Sequence, residues 1–442
     1  MMQRRNSIQT FVCTVALLCG VVFSAQAQRI KPADPQSKPI VIQGATIHVG
    51  NGQVMNNASV RFEQGIITEV GTSINTTGAQ VINGKGKHVY PGIIALNTPV
   101  GLVEVNAVKA SVDRSEQGNF NPNVRALTSF NTDSDVLPTL RYTGVLLVEA
   151  TPDRGIVSGT SSIMELDGWN WEDAVLKADN AIHLNWPARF SRSRRRGNPF
   201  GGKANKRRQR IIHLLTNAMR EAKAYAAVAK PAKVNLKLEA MRGLFDGSKT
   251  LFIHASYSKD IVESVQFAKT HGVQKVGIVG GYDAVRVANF LKEHQIPVVI
   301  NATHRLPLVN HHDIAYAYKL PGMLAKAGVL TGLTVGNERG ISMADHGWRV
   351  RTLPFHAGTA AAHGLGTEKA VEMITLNNAK ILGIDKQVGS IEKGKQATLF
   401  ISKGDVLDML TNDIEHAFIR GKKLILDDKQ QQLYRRFKKK YD

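Results

Sequence analysis

The stretch 88-HVYPGIIALNTPVGL-102 carries the reading of the fold. A short run rich in β-branched and aromatic residues stops at Pro91-Gly92, and a strand-length apolar run, 92-GIIALN-97, follows at once. A Pro-Gly break between two strand-like runs is a turn signal, and the run after it looks like the entry to a barrel strand. Upstream lie 40-IVIQGATIHV-49, 58-ASVRFEQGIITEVG-71 and 79-AQVINGKGKHVY-90, punctuated by Gly65, Gly71, Gly84 and Gly86. That pattern predicts antiparallel sheet. Downstream, apolar runs of strand length recur at 144-GVLLVEA-150, 250-TLFIHA-255, 275-KVGIVGG-281, 296-IPVVINAT-303 and 330-LTGLTVGN-337.

Between the later runs stand helical patterns, 259-KDIVESVQFAKTH-271, 283-DAVRVANFLKEH-294 and 313-DIAYAYKLPGMLAKAG-328. Strands alternating with helices of this length predict βα units and a parallel sheet. Seven or eight such units favour an α/β fold of the (β/α)8 TIM-barrel type over an open sheet. Near the other end, 388-VGSIEKGKQATLFIS-402 and 414-IEHAFIRGKKLIL-426 return to the character of the first segment. The two ends are therefore expected to meet in one small β-sandwich domain. The expected boundaries are 28–94 and 385–430 for that domain, 95–384 for the barrel, and 431–442 for a basic tail.

The first 27 residues read differently. Arg4 and Arg5 precede 11-FVCTVALLCGVVF-23, and small residues follow in 24-SAQAQ-28. A basic start, a short apolar core and an A-x-A site predict a cleavable export signal, 1–27, ending at Ala27. The apolar run is too short to span a bilayer comfortably, and 16-ALL-18 before Cys19 is unlike a lipoprotein site. Periplasmic or secreted location is the expectation. Both cysteines, Cys13 and Cys19, fall inside that signal, so the mature chain has no disulfide, thiol nucleophile or cysteine metal site.

The formal charge is +21. Much of it is local, because 189-RFSRSRRRGNPFGGKANKRRQR-210 and 433-LYRRFKKKYD-442 are dense in Lys and Arg. Such runs suit an anionic polymer or a membrane surface, or are simply a solvated loop and tail.

The order of these segments resembles the amidohydrolase superfamily, and in particular its secreted imidazolonepropionase-like branch. The likeness runs through 44-GATIHVGNGQVMNNASVRFEQGIITEVG-71, 81-VINGKGKHVYPGIIALN-97 and 367-TEKAVEMITLNNAKILGIDKQVGSIEKGKQATLFI-401. It covers nearly all of the mature chain and implies hydrolysis of non-peptide C–N bonds. In active members the resemblance implies a metal that activates water and polarises the scissile carbonyl. Its ligands come from a His-x-His pair ending the first strand, sometimes a modified lysine on the fourth, histidines on the fifth and sixth, and an aspartate on the eighth.

Matched residue by residue, the His-x-His positions are Asn97 and Pro99, the fifth-strand histidine is His254, the sixth-strand place offers Gly281, Tyr282 or Asp283, and the eighth ends in Asn337. No fourth-strand lysine is placed by spacing. A catalytic zinc ordinarily needs three protein ligands and an open position, so this metal site reads as degenerate.

The candidate catalytic residues are accordingly Asn97, His254, Asp283 and Asn337, and the candidate pocket residues are His254, Tyr282, His304 and Asn337. A rebuilt centre for zinc or another divalent metal would draw on His254, His304 and Asp345, with His311 as a further donor. Glu149, Glu165 and Asp283 are acidic groups at expected strand ends. No H-E-x-x-H, G-x-S-x-G or G-x-x-x-x-G-K-[ST] run is present, which removes the simplest protease, esterase and P-loop readings. Three functions remain open: a hydrolase with an atypical site, a silent pocket protein paired with an intact relative or acting as an oligomer, and an envelope protein that binds polyanions.

Overall fold

The computed structural model describes residues 31–190, 204–308, 312–336 and 346–441. The signal at 1–27, most of the basic loop at 189–210, and His311, Asn337 and Asp345 lie outside the described residues.

The first sheet begins with β1 (Ile40–His48), β2 (Val54–Glu63), β3 (Ile66–Gly71), β4 (Gln80–Asn83) and β5 (His88–Pro91). The barrel follows as β6 (Ile93–Thr98), β7 (Val145–Ala150), β8 (Val157–Glu165), β9 (Val175–Asn185), β10 (Thr250–Ala255), β11 (Lys275–Gly280), β12 (Val298–Asn301) and β13 (Thr331–Thr334). The chain then returns to the first sheet as β14 (Leu399–Ser402), β15 (Ile414–Ile419) and β16 (Lys422–Lys423). The break at Pro91-Gly92 is thus the passage from one sheet to the other.

The ends of the chain do meet. β14 runs antiparallel to β5, with Leu399 opposite Pro91 and Phe400 opposite Tyr90. The order β16-β15-β14-β5-β1-β2-β3, with β4 beside β1, forms one continuous sheet where a two-sheet sandwich is expected from the sequence. This sheet nevertheless folds over on itself. β2 and β15 are four strands apart, roughly 19 Å if the sheet were flat, yet Phe62 and Phe418 meet edge to face at 5.1 Å between ring centres. A backbone contact completes the fold-over, because the Ala397 amide donates to the Gly65 carbonyl at 2.7 Å. Gly65 has φ +80°, and a Cβ there would lie 2.9 Å from the Arg420 carbonyl. Only glycine fits that corner. Ile42, Ile47, Val60, Phe62, Ile401 and Phe418 fill the small core.

The second sheet runs β6 to β13 in chain order and nearly closes into a barrel. Its seam is held largely by side chains: the Asn378 amide donates to the Ile94 carbonyl on β6 at 2.7 Å and to the Leu333 carbonyl on β13 at 3.0 Å. Asn378 lies within 375-TLNNAKILG-383, so this family-like run joins the first and last barrel strands.

Outer helices are amphipathic as the spacing predicts. Helix Ser258–Thr270 buries Ile261, Ser264, Val265 and Ala268, an i, i+3, i+4, i+7 stripe.

One strand departs from the expected repeat of βα units. β8 is antiparallel to both β7 and β9, so seven barrel strands run one way and β8 runs against them. The reason is chain length: only residues 151–156 separate β7 from β8, whereas a parallel crossover needs about a dozen or more. The long segment after β6 then lies along β8, where Asn121 and Ala126 donate their amides to the Val157 and Thr160 carbonyls, each at 3.0 Å.

Candidate functional site

Glu149, near the C-terminal end of β7, is 0% exposed. A carboxylate removed from water requires compensating donors. The Asn97 amide, near the end of β6, donates to Oε2 at 2.9 Å, and the Ser161 hydroxyl on β8 donates to Oε1 at 2.8 Å. His183 on β9 brings Nε2 to 3.3 Å from Glu149 Oε1 and 3.1 Å from Ser161 Oγ. Its other nitrogen, Nδ1, stands 3.0 Å from Nε2 of His254 on β10.

A carboxylate only accepts, so His183 presents Nε2–H to Glu149, and its Nδ1 shares a hydrogen bond with Nε2 of His254. Five adjacent strands, β6 to β10, are therefore linked across the barrel interior by one polar chain.

The backbone at the end of β6 is shaped for this. Asn97 is fully buried and has φ +52°, a conformation Asn tolerates better than most residues. Gly336, just past β13, approaches it so closely that a Cβ would come within 1.9 Å of the Asn97 carbonyl oxygen.

Other candidate residues lie outside this chain. Asp283 Oδ2 accepts from the Ser258 amide at 3.2 Å, at the N-terminus of helix Ser258–Thr270, which precedes it in the chain; its Oδ1 is 3.9 Å from His312 Nε2. Tyr282 is 3% exposed, accepts from the Leu308 amide at 3.3 Å, and lies 4.9 Å beneath the Arg305 guanidinium. It braces the loop after β12. His304 is exposed, stacks on His356 at 3.9 Å and bonds Thr359 Oγ1 through Nε2 at 2.7 Å. Glu165 does not share an end of the barrel with Glu149. Because β8 is reversed, Glu165 pairs opposite Leu147 and binds Arg420 Nε at 2.7 Å. Burial pushes its carboxyl up to about 7 despite that guanidinium.

The structure thus brings Asn97 and His254 together through two residues absent from the sequence-based candidate set, Ser161 and His183. A signal for His183 existed. The run 181-AIHLN-185 has strand-like alternation, and a search confined to lysine passes over it.

The donor set can be compared with what a family metal would need. Pro99 offers no side-chain donor, and both nitrogens of His183 are engaged within the protein. Among the described residues, no group of three or more His, Cys, Asp or Glu side chains is arranged to hold a metal ion. These donors do not fit the usual three-ligand centre.

A barrel whose strand ends carry polar groups, clasped by a β-domain built from both chain ends, defines a TIM-barrel protein with an appended β-domain. A model of the amidohydrolase family matches residues 174–424, more than half of the sequence, and the chain belongs to that family. The match concerns the family as a whole and singles out no branch.

Among solved structures, an amidohydrolase from Thermotoga maritima MSB8 is similar with 22% identity and a TM-score of 0.74, covering 87% of this chain and 99% of that one. A putative prolidase from Bifidobacterium longum has 18% identity and a TM-score of 0.53, covering 92% and 100%. A prolidase complexed with N-methylphosphonate-L-proline has 17% identity and a TM-score of 0.53, covering 87% and 99%. At these identities the likeness is one of fold. No curated protein matches the sequence.

Proposed function

We infer that this is an exported amidohydrolase-family protein whose barrel mouth receives a small compound with a non-peptide C–N bond, and whose metal-assisted hydrolysis is impaired. Family membership supports the ligand class. The observation that carries the impairment is the position of His183, held by Glu149 and Ser161 on one side and by His254 on the other. A ring held at both nitrogens is a strut. It positions His254, which is half-buried and so is the member of the chain nearest to solvent. A catalytically silent binding protein, working beside an intact relative, is the second reading compatible with this arrangement, and turnover separates the two.

The test is metal content by mass spectrometry on mature, tag-free protein, before and after incubation with excess zinc. A panel of amides, cyclic ureas and dipeptides is assayed in parallel. The expected result is metal far below one equivalent and no zinc-stimulated turnover. One equivalent of metal, lost in His254→Ala and accompanied by metal-dependent hydrolysis, overturns the reading. The export part has its own check: intact mass from an envelope fraction should correspond to cleavage after Ala27.

A further inference from the structure

Helix Lys429–Lys438 lies near the C-terminus and buries none of its residues. Only its root is fastened. Asp428 caps it by accepting from the Gln431 amide at 2.7 Å, and the other Asp428 oxygen accepts from the Thr139 hydroxyl at 3.0 Å. The Tyr142 hydroxyl donates to the Leu426 carbonyl at 2.7 Å, and Arg435 pairs with Asp427 at 2.7 Å. The root is therefore tied to helix Val136–Arg141. Beyond Arg435, the cations Arg436, Lys438, Lys439 and Lys440 form no ion pair among the described residues.

The faces of this helix are sharply divided. At about 100° per residue, Leu433, Tyr434 and Phe437 fall in one sector of roughly 100°, and Tyr441 in the turn beyond continues the same line. They are 40%, 61%, 55% and 80% exposed. Arg435, Arg436, Lys438, Lys439 and Lys440 occupy the remainder, on both sides of that sector. Apolar rings left in water gain by leaving it, and the flanking cations suit an anionic partner at the same depth.

We propose that helix Lys429–Lys438 is an interfacial anchor that lies on an anionic lipid bilayer, with Leu433, Tyr434 and Phe437 at the boundary between headgroups and acyl chains, and with the surrounding lysines and arginines on lipid phosphates. Charge alone would suit any polyanion. The Leu433–Phe437 face decides for the bilayer, since a phosphate polymer in water gives a leucine and a phenylalanine nothing to bury against. Tyrosine also favours such a boundary, with its ring in the apolar layer and its hydroxyl among the headgroups. Among the described residues no helix is long and apolar enough to cross a membrane, so this contact is peripheral.

The experiment is flotation of the full mature protein with vesicles of phosphatidylglycerol and phosphatidylcholine, against vesicles of phosphatidylcholine alone, at physiological salt. The expected result is binding to the anionic vesicles only. Replacing Arg436, Lys438, Lys439 and Lys440 by Gln should weaken it by about fivefold per cation. Phe437→Ser should also weaken it, and Phe437→Trp should give a blue-shifted emission quenched by brominated lipid. Three outcomes overturn the proposal: no difference between the two vesicles, binding to anionic vesicles and heparin alike that Phe437→Ser leaves unchanged, or a dimer in ultracentrifugation that Phe437→Ser dissolves without any vesicle binding. Thermal unfolding of each variant should stay at the wild-type midpoint, because none of these side chains is buried.

Discussion

Two histidine pairs face each other across the proton ledger of this barrel. In the pair His183–His254, the inner ring meets a carboxylate and a hydroxyl at Nε2, and so donates there. In the pair His304–His356, the inner ring accepts the Thr303 and His304 amides at Nδ1, at 3.0 and 3.2 Å. Both pairs join a buried ring to a more exposed one. They differ in what surrounds the buried ring, and the environment rather than the residue type decides the role. His183 links side chains of separate strands across the interior, whereas His356 closes backbone donors just past the end of β12 through Nδ1.

The largest test of this contrast is Glu149→Ala. It leaves the Asn97 amide, the Ser161 hydroxyl and the His183 ring buried without their common acceptor, and an expected loss of about 3–5 kcal/mol follows. Urea unfolding measures it. A loss below 1 kcal/mol would mean that the chain linking β6 to β10 is not what holds the barrel interior.

His356→Ala comes next, at about 2–4 kcal/mol, since the buried Thr303 amide and the partly buried His304 amide lose their acceptor. The same residue supplies a pH signature. Burial, followed by the nearby His304 and Arg349, pushes its imidazole down to about 3 from an ordinary value near 6.5. The unfolded chain therefore binds the proton more readily. Stability that depends on the neutral ring is fully present above about 6.5 and is lost as pH falls toward 3. Unfolding curves for wild type and His356→Ala should converge over that window.

Glu165 should behave in the opposite sense and more weakly. Its carboxyl is raised in the folded state, so the native protein holds the proton more tightly than the unfolded chain. Wild-type stability should fall by about 1–3 kcal/mol relative to Glu165→Gln as pH rises from 4.5 through 7. A flat difference between the two proteins over that range would mean that Arg420 fully compensates the buried charge.

The smallest effect is expected at His304, the exposed partner of the second pair. His304→Ala should cost less than about 1 kcal/mol, whereas His254→Ala, which removes the partner of His183 Nδ1, should cost more. Equal values would erase the contrast between the two pairs.

The sequence by itself determined the class of fold and the order of most of its elements, although β8 and β9 are not among the strand-length runs read from it. Local periodicity reports which face of a segment is buried, and Pro91-Gly92, the strand-length runs and the family-like segments are all local. That Asn97 and Pro99 fall at the expected metal-ligand positions is likewise a reading of local sequence, as the family resemblance implies it. Tertiary structure decided the direction of β8, the fold-over of the β-domain, and the chain from Glu149 to His183 to His254. These residues are 34 and 71 positions apart in sequence, and hydrogen bonds between them depend on the register of neighbouring strands. Register depends on link length, on closure of the barrel at Asn378 and Gly336, and on the packing of every strand between. Those are properties of the assembled sheet, and no single segment carries them.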